Sequence, residues 1–322
     1  MHEDSTGSNF ILDDNTKIKD EESLTRRARA KYFSYAVIFP LIDLDSPLQK
    51  SYWNTYHCCE ILIREGEKIT GSYCKNRWCT VCNRIRTAVL INTYKPVLDS
   101  WGDKWFVTLT IPNVPADKLR TAIADMEVEF RRIKDKFYKR HYRKQGDKLV
   151  GFRKLECTYN PERDDYHPHY HIIVRGEDVA RGLLDEWLKR YPGARDIAQD
   201  VRPADNDSVM ELFKYFTKLI VKVNRDDRQV YIEPLDMIFR AIRGKRTFQN
   251  FGFTAPKEVE KPDDEAMELA DEIEQEVIRE SYQWHQDYHD WIGCQTGEVL
   301  TGYVPSPKFR KLVEGIGDKR SP

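Results

Sequence analysis

The run His167-Pro168-His169-Tyr170-His171, continuing into Ile172-Ile173-Val174, constrains this chain more than any other feature. Branched and aromatic residues crowd it, which predicts a β-strand. Side chains alternate faces along a strand, so His169 and His171 share one face. Two neutral imidazoles side by side on a sheet form a chelating pair for a divalent metal. A lone histidine is usually structural, but three at alternate positions would each need its own buried partner.

A third ligand is expected from Glu156. It lies on a predicted strand, Val150 to Tyr159, that turns at Asn160-Pro161 and Asp164-Asp165. The two strands then pair as an antiparallel hairpin, which brings Glu156 within reach. The competing reading is a surface carboxylate paired with Lys154 or Arg153. A His-His-Glu set with open positions suits Mg²⁺ or Mn²⁺ at a phosphate.

Further elements surround this hairpin. Trp105-Phe106-Val107-Thr108-Leu109-Thr110-Ile111 reads as a strand ended by Pro112. Leu119, Ile123, Met126, Phe130, Ile133 and Phe137 recur at spacings of four and three, the mark of a long amphipathic helix. Its outer face carries Arg131, Arg132, Lys136 and Arg140. Val179, Leu183, Trp187 and Tyr191 suggest another helix, and residues 207–223 a third. The order predicts an α+β fold, a central antiparallel sheet with flanking helices.

Five of the seven cysteines fall into two groups, and all five are candidate ligands. Cys79 and Cys82 form a C-x-x-C hook, Cys74 adds a third thiolate, and one of Cys58 and Cys59 closes a tetrahedral Zn²⁺ site. The interval between the halves fits a hairpin turning at Arg64-Glu65-Gly66-Glu67. A redox role is disfavoured because no thioredoxin-like βαβ pattern surrounds the hook. Arg77, Arg84 and Arg86 lie beside it and suit a DNA backbone.

On the helix 207–223, Val209, Leu212, Phe213, Phe216, Leu219, Ile220 and Val223 gather on one side. Glu211, Tyr215, Lys218 and Lys222 gather on the other. A phenol with a pKa of about 10 needs a metal or a lysine beside it to act as a nucleophile. With 17 tyrosines in the chain, an exposed tyrosine on a salt-bridged helix is the plainer reading of Tyr215.

The net charge of −1 hides an asymmetry. Arg64 to Lys154 holds 21 Lys/Arg against 10 Asp/Glu, and Ala255 to Asp290 holds 3 against 13. The basic half suggests a polyanionic partner, although solvated helix faces would give the same count. No apolar run is long enough to span a membrane, and the polar, acidic start does not read as a secretory signal. A cytoplasmic protein with thiols rather than disulfides is expected.

Taken in order, these motifs resemble the HUH-endonuclease superfamily and, more closely, the Rep_1-type replication initiators of rolling-circle plasmids. The resemblance covers roughly residues 55 to 253. Phe106-Val107-Thr108-Leu109-Thr110 resembles the first motif of that family, and Tyr166-His167-Pro168-His169-Tyr170-His171-Ile172 its metal motif. Glu211-Leu212-Phe213-Lys214-Tyr215-Phe216-Thr217-Lys218 resembles the third. The Cys74–Cys82 cluster resembles one found upstream in the family. Gly244-Lys245-Arg246-Thr247-Phe248 resembles a downstream basic segment, with Asn250-Phe251-Gly252 replacing the usual glycine pair.

The resemblance implies that His169 and His171 are ligands of a catalytic ion, Mn²⁺ or Mg²⁺. It implies that Tyr215 cleaves DNA through a 5′-phosphotyrosyl link, that Glu211 assists termination and that Lys218 positions phosphate. The implied partner is origin DNA, single-stranded or hairpinned, with room for a host helicase or polymerase and for a homodimer. A relaxase or transposase shares such a core, but a relaxase usually adds a third metal-site histidine and a large extension. The other alternative is a non-catalytic, zinc-stabilised DNA-binding repressor. The expected organisation is an N-terminal arm over 1–50, partly flexible, and a zinc-binding segment over 51–100. A nuclease core over 101–254 and an acidic, helical extension over 255–322 follow.

Overall fold

Largely buried strands build the sheet that carries the histidines. In the computed structural model, residues 21–65, 68–213, 221–222, 228–256, 279–293 and 299–318 are described. The elements run α1 (Glu21–Ile42), α2 (Gln49–Tyr56), β1 (Ile61–Glu65), β2 (Lys68–Gly71) and α3 (Thr80–Asp99). Then come β3 (Lys104–Thr110), α4 (Ala116–Tyr142), β4 (Gly151–Asn160), β5 (Asp165–Arg175) and α5 (Glu177–Arg190). They continue through β6 (Asp200–Pro203), α6 (Asn206–Phe213), β7 (Val221–Lys222), β8 (Arg228–Gln229), α7 (Ile232–Ile242) and β9 (Phe248–Phe251). The last are β10 (Arg279–His285), β11 (Asp290–Gly293) and α8 (Pro307–Asp318). The fold is α+β with antiparallel sheets flanked by helices, as the sequence pattern predicts.

The chain divides into two compact units. One comprises Ile91–Leu219 and Met237–Lys257. Its five-stranded sheet has the order β6-β3-β5-β4-β9, so the histidine strand β5 is central. The hairpin register sets Glu156 opposite His169 and Lys154 opposite His171. On the other side of β5, Thr110 faces His169 and Thr108 faces His171.

Helix α4 buries the six apolar residues that its periodicity marks, from Leu119 to Phe137. Each such side chain contributes roughly 1.5–3 kcal/mol when fully buried. Phe130 meets Tyr170 at 5.6 Å between ring centroids, and Trp187 of α5 meets Tyr170 at 5.8 Å. Tyr170 lies between the two histidines in sequence, so α4 and α5 cover the opposite face of the sheet. Gly252 ends β9 with φ +80, where an added Cβ would sit 2.2 Å from the Leu149 carbonyl oxygen. No other residue fits that position.

The other unit comprises Met1–Leu90, Ile220–Asp236 and Glu258–Pro322. Its four-stranded sheet has the order β11-β10-β1-β2. The expected hairpin between the cysteine pairs is β1–β2, with Glu65 opposite Lys68. Buried Asp236 accepts hydrogen bonds from Tyr52 and Ser46, which ties the start of α7 to the α2 region.

Of the N-terminal arm, residues 21–50 are described; they hold α1, with Ala28, Val37, Ile38 and Leu41 buried, and the start of α2. Two expectations are corrected. Of the helix expected over 207–223, the described part is Asn206–Phe213 and residues 214–220 lie outside the described residues, while Val221–Lys222 pairs with Arg228–Gln229 instead of continuing a helix. Valine favours a pleated strand there, and the chain returns within a few residues. The extension expected to be helical contains strands at Arg279–His285 and Asp290–Gly293, with helix only at Pro307–Asp318 among its described residues. Tyr282 and Trp284 are buried while Gln283 and His285 are exposed, a period of two rather than 3.6.

Candidate metal centres

The hairpin register brings three donor atoms together. Glu156 Oε2 lies 3.4 Å from His169 Nε2 and 3.4 Å from His171 Nε2, and the two Nε2 atoms are 3.2 Å apart. Such a triangle spans one face of a coordination polyhedron with ligand distances of about 2.1 Å. These three residues can hold a metal ion.

Neighbouring groups aim the donors. His169 Nδ1 donates to the His167 carbonyl at 3.0 Å. A carbonyl only accepts, so the lone pair of His169 is left on Nε2. His171 Nδ1 meets Thr108 Oγ1 at 3.3 Å, and the His171 ring stacks on Phe106 with centroids 5.3 Å apart. His167 stacks on His169 at 4.9 Å but lies outside the ligand set. Burial and the neighbouring His169 lower its pKa to about 4, so it is neutral at neutral pH.

Glu156 is not a surface carboxylate: its side chain is 3 % exposed. It does pair with Lys154, through Oε1, which leaves Oε2 for the imidazoles. Burial alone would raise its pKa, but Lys154 and the two histidines hold the carboxyl well below the usual range. Lys154 Nζ also donates to the Glu211 carbonyl at 2.9 Å. Arg153, its neighbour on β4, instead lies against the rings of Phe130 and Tyr170 on the far face. Tyr215 and Lys218 lie outside the described residues.

In the other unit, Cys58, Cys74, Cys79 and Cys82 place their sulfurs within 4.8 Å of one another. Sγ–Sγ distances are 3.5 Å for Cys58–Cys82 and 3.7 Å for Cys74–Cys82. Four converging thiols, three of them buried, suit a soft or borderline ion such as Zn²⁺. Backbone N–H groups of Cys74 and Cys82 donate to Cys58 Sγ and Cys79 Sγ. The choice between Cys58 and Cys59 falls to Cys58. Cys59 takes φ +56, and its carbonyl accepts from Trp291 Nε1 at 2.8 Å. Lys31 Nζ, missed at the sequence level, is buried and donates to the carbonyls of Tyr56 and Cys58, each at 2.7 Å. The basic trio beside the cluster is not all surface. Arg84 is buried, and Arg86 is bonded to Asn83 and the Lys75 carbonyl.

Fold and site together define an α+β protein with a two-histidine, one-carboxylate centre on a central antiparallel sheet. The Rep_1 family model, described as replication protein, matches residues 67–177. Protein rep of Staphylococcus aureus is 33 % identical over 167 residues, covering 45 % of this chain and 69 % of the relative. Protein rep of Bacillus amyloliquefaciens is 33 % identical over 252 residues, covering 65 % and 72 %. Protein rep of a Bacillus species is 32 % identical over 202 residues, covering 50 % and 64 %. The chain belongs to the Rep_1 family of replication proteins, and this membership supports a role in starting plasmid replication. No solved structure matches the chain. Among the described residues, no helix is long and apolar enough to cross a membrane.

Proposed function

We propose that this protein initiates rolling-circle replication as a site-specific, single-strand DNA endonuclease and strand transferase of the HUH type, acting in the cytoplasm on origin DNA. The observation that carries the reading is the convergence of Glu156 Oε2 with the Nε2 atoms of His169 and His171.

Glu156, His169 and His171 would hold Mn²⁺ or Mg²⁺, and a bound ion of this kind withdraws charge from a phosphodiester oxygen. Tyr215 is the nucleophile. Its phenolate oxygen bonds to phosphorus as the P–O3′ bond breaks, leaving a 3′-OH and a 5′-phosphotyrosyl link. Lys218 offsets negative charge on phenolate or phosphate. Glu211 later accepts the proton of a water or of a second strand's 3′-OH as the link is resolved. When a 3′-OH resolves the link, one phosphodiester is exchanged for another as the Tyr215 phenol leaves, so joining needs no nucleotide cofactor; attack by water instead releases a 5′-phosphate end. Cys58, Cys74, Cys79 and Cys82 hold a structural Zn²⁺ in this reading.

The test incubates the protein with a supercoiled origin plasmid and Mn²⁺, then maps the covalent DNA–peptide adduct. The expected adduct is at Tyr215, and Tyr215→Phe abolishes nicking while binding persists. An adduct on another tyrosine overturns the assignment. A wild-type protein that binds the origin without nicking it would be the repressor instead.

A further inference from the structure

Helix α4 starts just beyond β3, at the end of the sheet where Thr110 pairs with His169. At 1.5 Å per residue it is about 40 Å long, so its C-terminal end lies far from the histidines along its axis. It also covers the opposite face of the sheet, through Phe130 against Tyr170.

Charges along this helix are not evenly compensated. In its middle, Arg132 pairs with Glu129 and Lys136 with Glu186, which also takes Lys189. Beyond that point compensation stops. Among the described residues, no carboxylate pairs with Lys139, Arg140, Arg143, Lys144 or Lys148. A shallow hollow of about 400 Å³ runs along the basic flank, lined by Arg132, Asp135, Lys136, Lys139, Arg140 and Arg143. On an adjoining flank of the same last turns, outside the hollow's lining, stand Tyr138, 66 % exposed, and Tyr142, 80 % exposed. They are i,i+4 neighbours on one side of the helix. Favourable interaction with the helix dipole explains cations in the last turn. It does not explain two bare phenol rings beside them.

We propose that the C-terminal end of α4 is a second binding site for single-stranded DNA, remote from the metal centre, with Tyr138 and Tyr142 stacking on unpaired bases and Lys139, Arg140, Arg143 and Lys144 tracking the phosphates. The choice of DNA as the polyanion rests on the function proposed above. The aromatic pair selects the single strand, because duplex bases offer no free face. The strand bound here is distinct from the segment at the triad, as the displaced strand would be.

The test titrates the full-length protein with a fluorescein-labelled dT₁₅ oligonucleotide and with a duplex of equal length, following anisotropy. Nicking of a short origin oligonucleotide is measured in parallel. Tyr138→Ala/Tyr142→Ala weakens dT₁₅ binding roughly tenfold or more, leaves duplex binding and short-oligonucleotide nicking unchanged, and is largely rescued by the double Phe variant. Lys139→Ala/Arg143→Ala lowers the salt dependence of dT₁₅ binding by about 0.7 per lost phosphate contact. Unchanged dT₁₅ affinity in the tyrosine variant overturns the proposal, as does equal loss on dT₁₅ and duplex. A parallel loss of short-oligonucleotide nicking also overturns it, since the site would then be part of the catalytic one. Failure of Tyr215 as the nucleophile leaves these outcomes untouched.

Discussion

Lys154 Nζ donates to the backbone carbonyl of Glu211 at 2.9 Å, so a residue two positions from Glu156 on β4 holds α6. The same ammonium pairs with Glu156. One buried cation therefore serves both the ligand carboxylate and the helix that carries Glu211.

Lys154→Met tests that double role. Removing one partner of a buried ion pair costs about 3–5 kcal/mol. The thermal midpoint should fall in calorimetry, and amide exchange over residues 206–213 should quicken. Unaltered exchange in that helix would show that Lys154 does not anchor it.

Thr108→Val removes the hydroxyl that meets His171 Nδ1. Loss of such an orienting group typically weakens metal binding by roughly tenfold or more. Titration calorimetry with Mn²⁺ should show this with no change in stoichiometry. Equal affinity in the variant would mean that the His171 ring is held by Phe106 alone.

His167 shares a face with the ligand pair but stacks on His169 rather than joining it. Mn²⁺ binding should survive His167→Ala and be lost with His169→Ala. Equal loss in both would make the centre a three-histidine one.

Cys59→Ser should retain the full zinc content by elemental analysis, whereas Cys58→Ser should lose it. A strong chelator should also lower the far-UV signal of the protein, because a structural thiolate site contributes folding free energy directly. Retention of zinc by Cys58→Ser would reverse the choice between the two adjacent cysteines.

Much of this was legible locally. The six buried positions of α4 follow from spacing alone, and the alternation at His169 and His171 gives both the strand and the shared face. The hairpin turn at Asn160-Pro161 sets Glu156 against His169. What escaped were features with no local signature. Thr108 and Phe106 reach His171 only because β3 lies on the other side of β5. Glu156 reads as either an ion-pair partner or a ligand, and its two oxygens allow it to be both. Cys58 and Cys59 are indistinguishable in spacing, and the positive φ at Cys59 sets them apart. The period of two at Tyr282 and Trp284 was present but lay beside a strongly acidic stretch whose composition suggested helix.

The pairing of Ile61–Glu65 with Arg279–Gln283 has a consequence for biosynthesis. Strand β1 finds its long-range neighbour only after more than two hundred further residues have left the ribosome. The five-stranded sheet needs nothing beyond Phe251 and can close first. The unit that emerges earliest is thus completed last, and until then one edge of β1 stays open to intermolecular pairing.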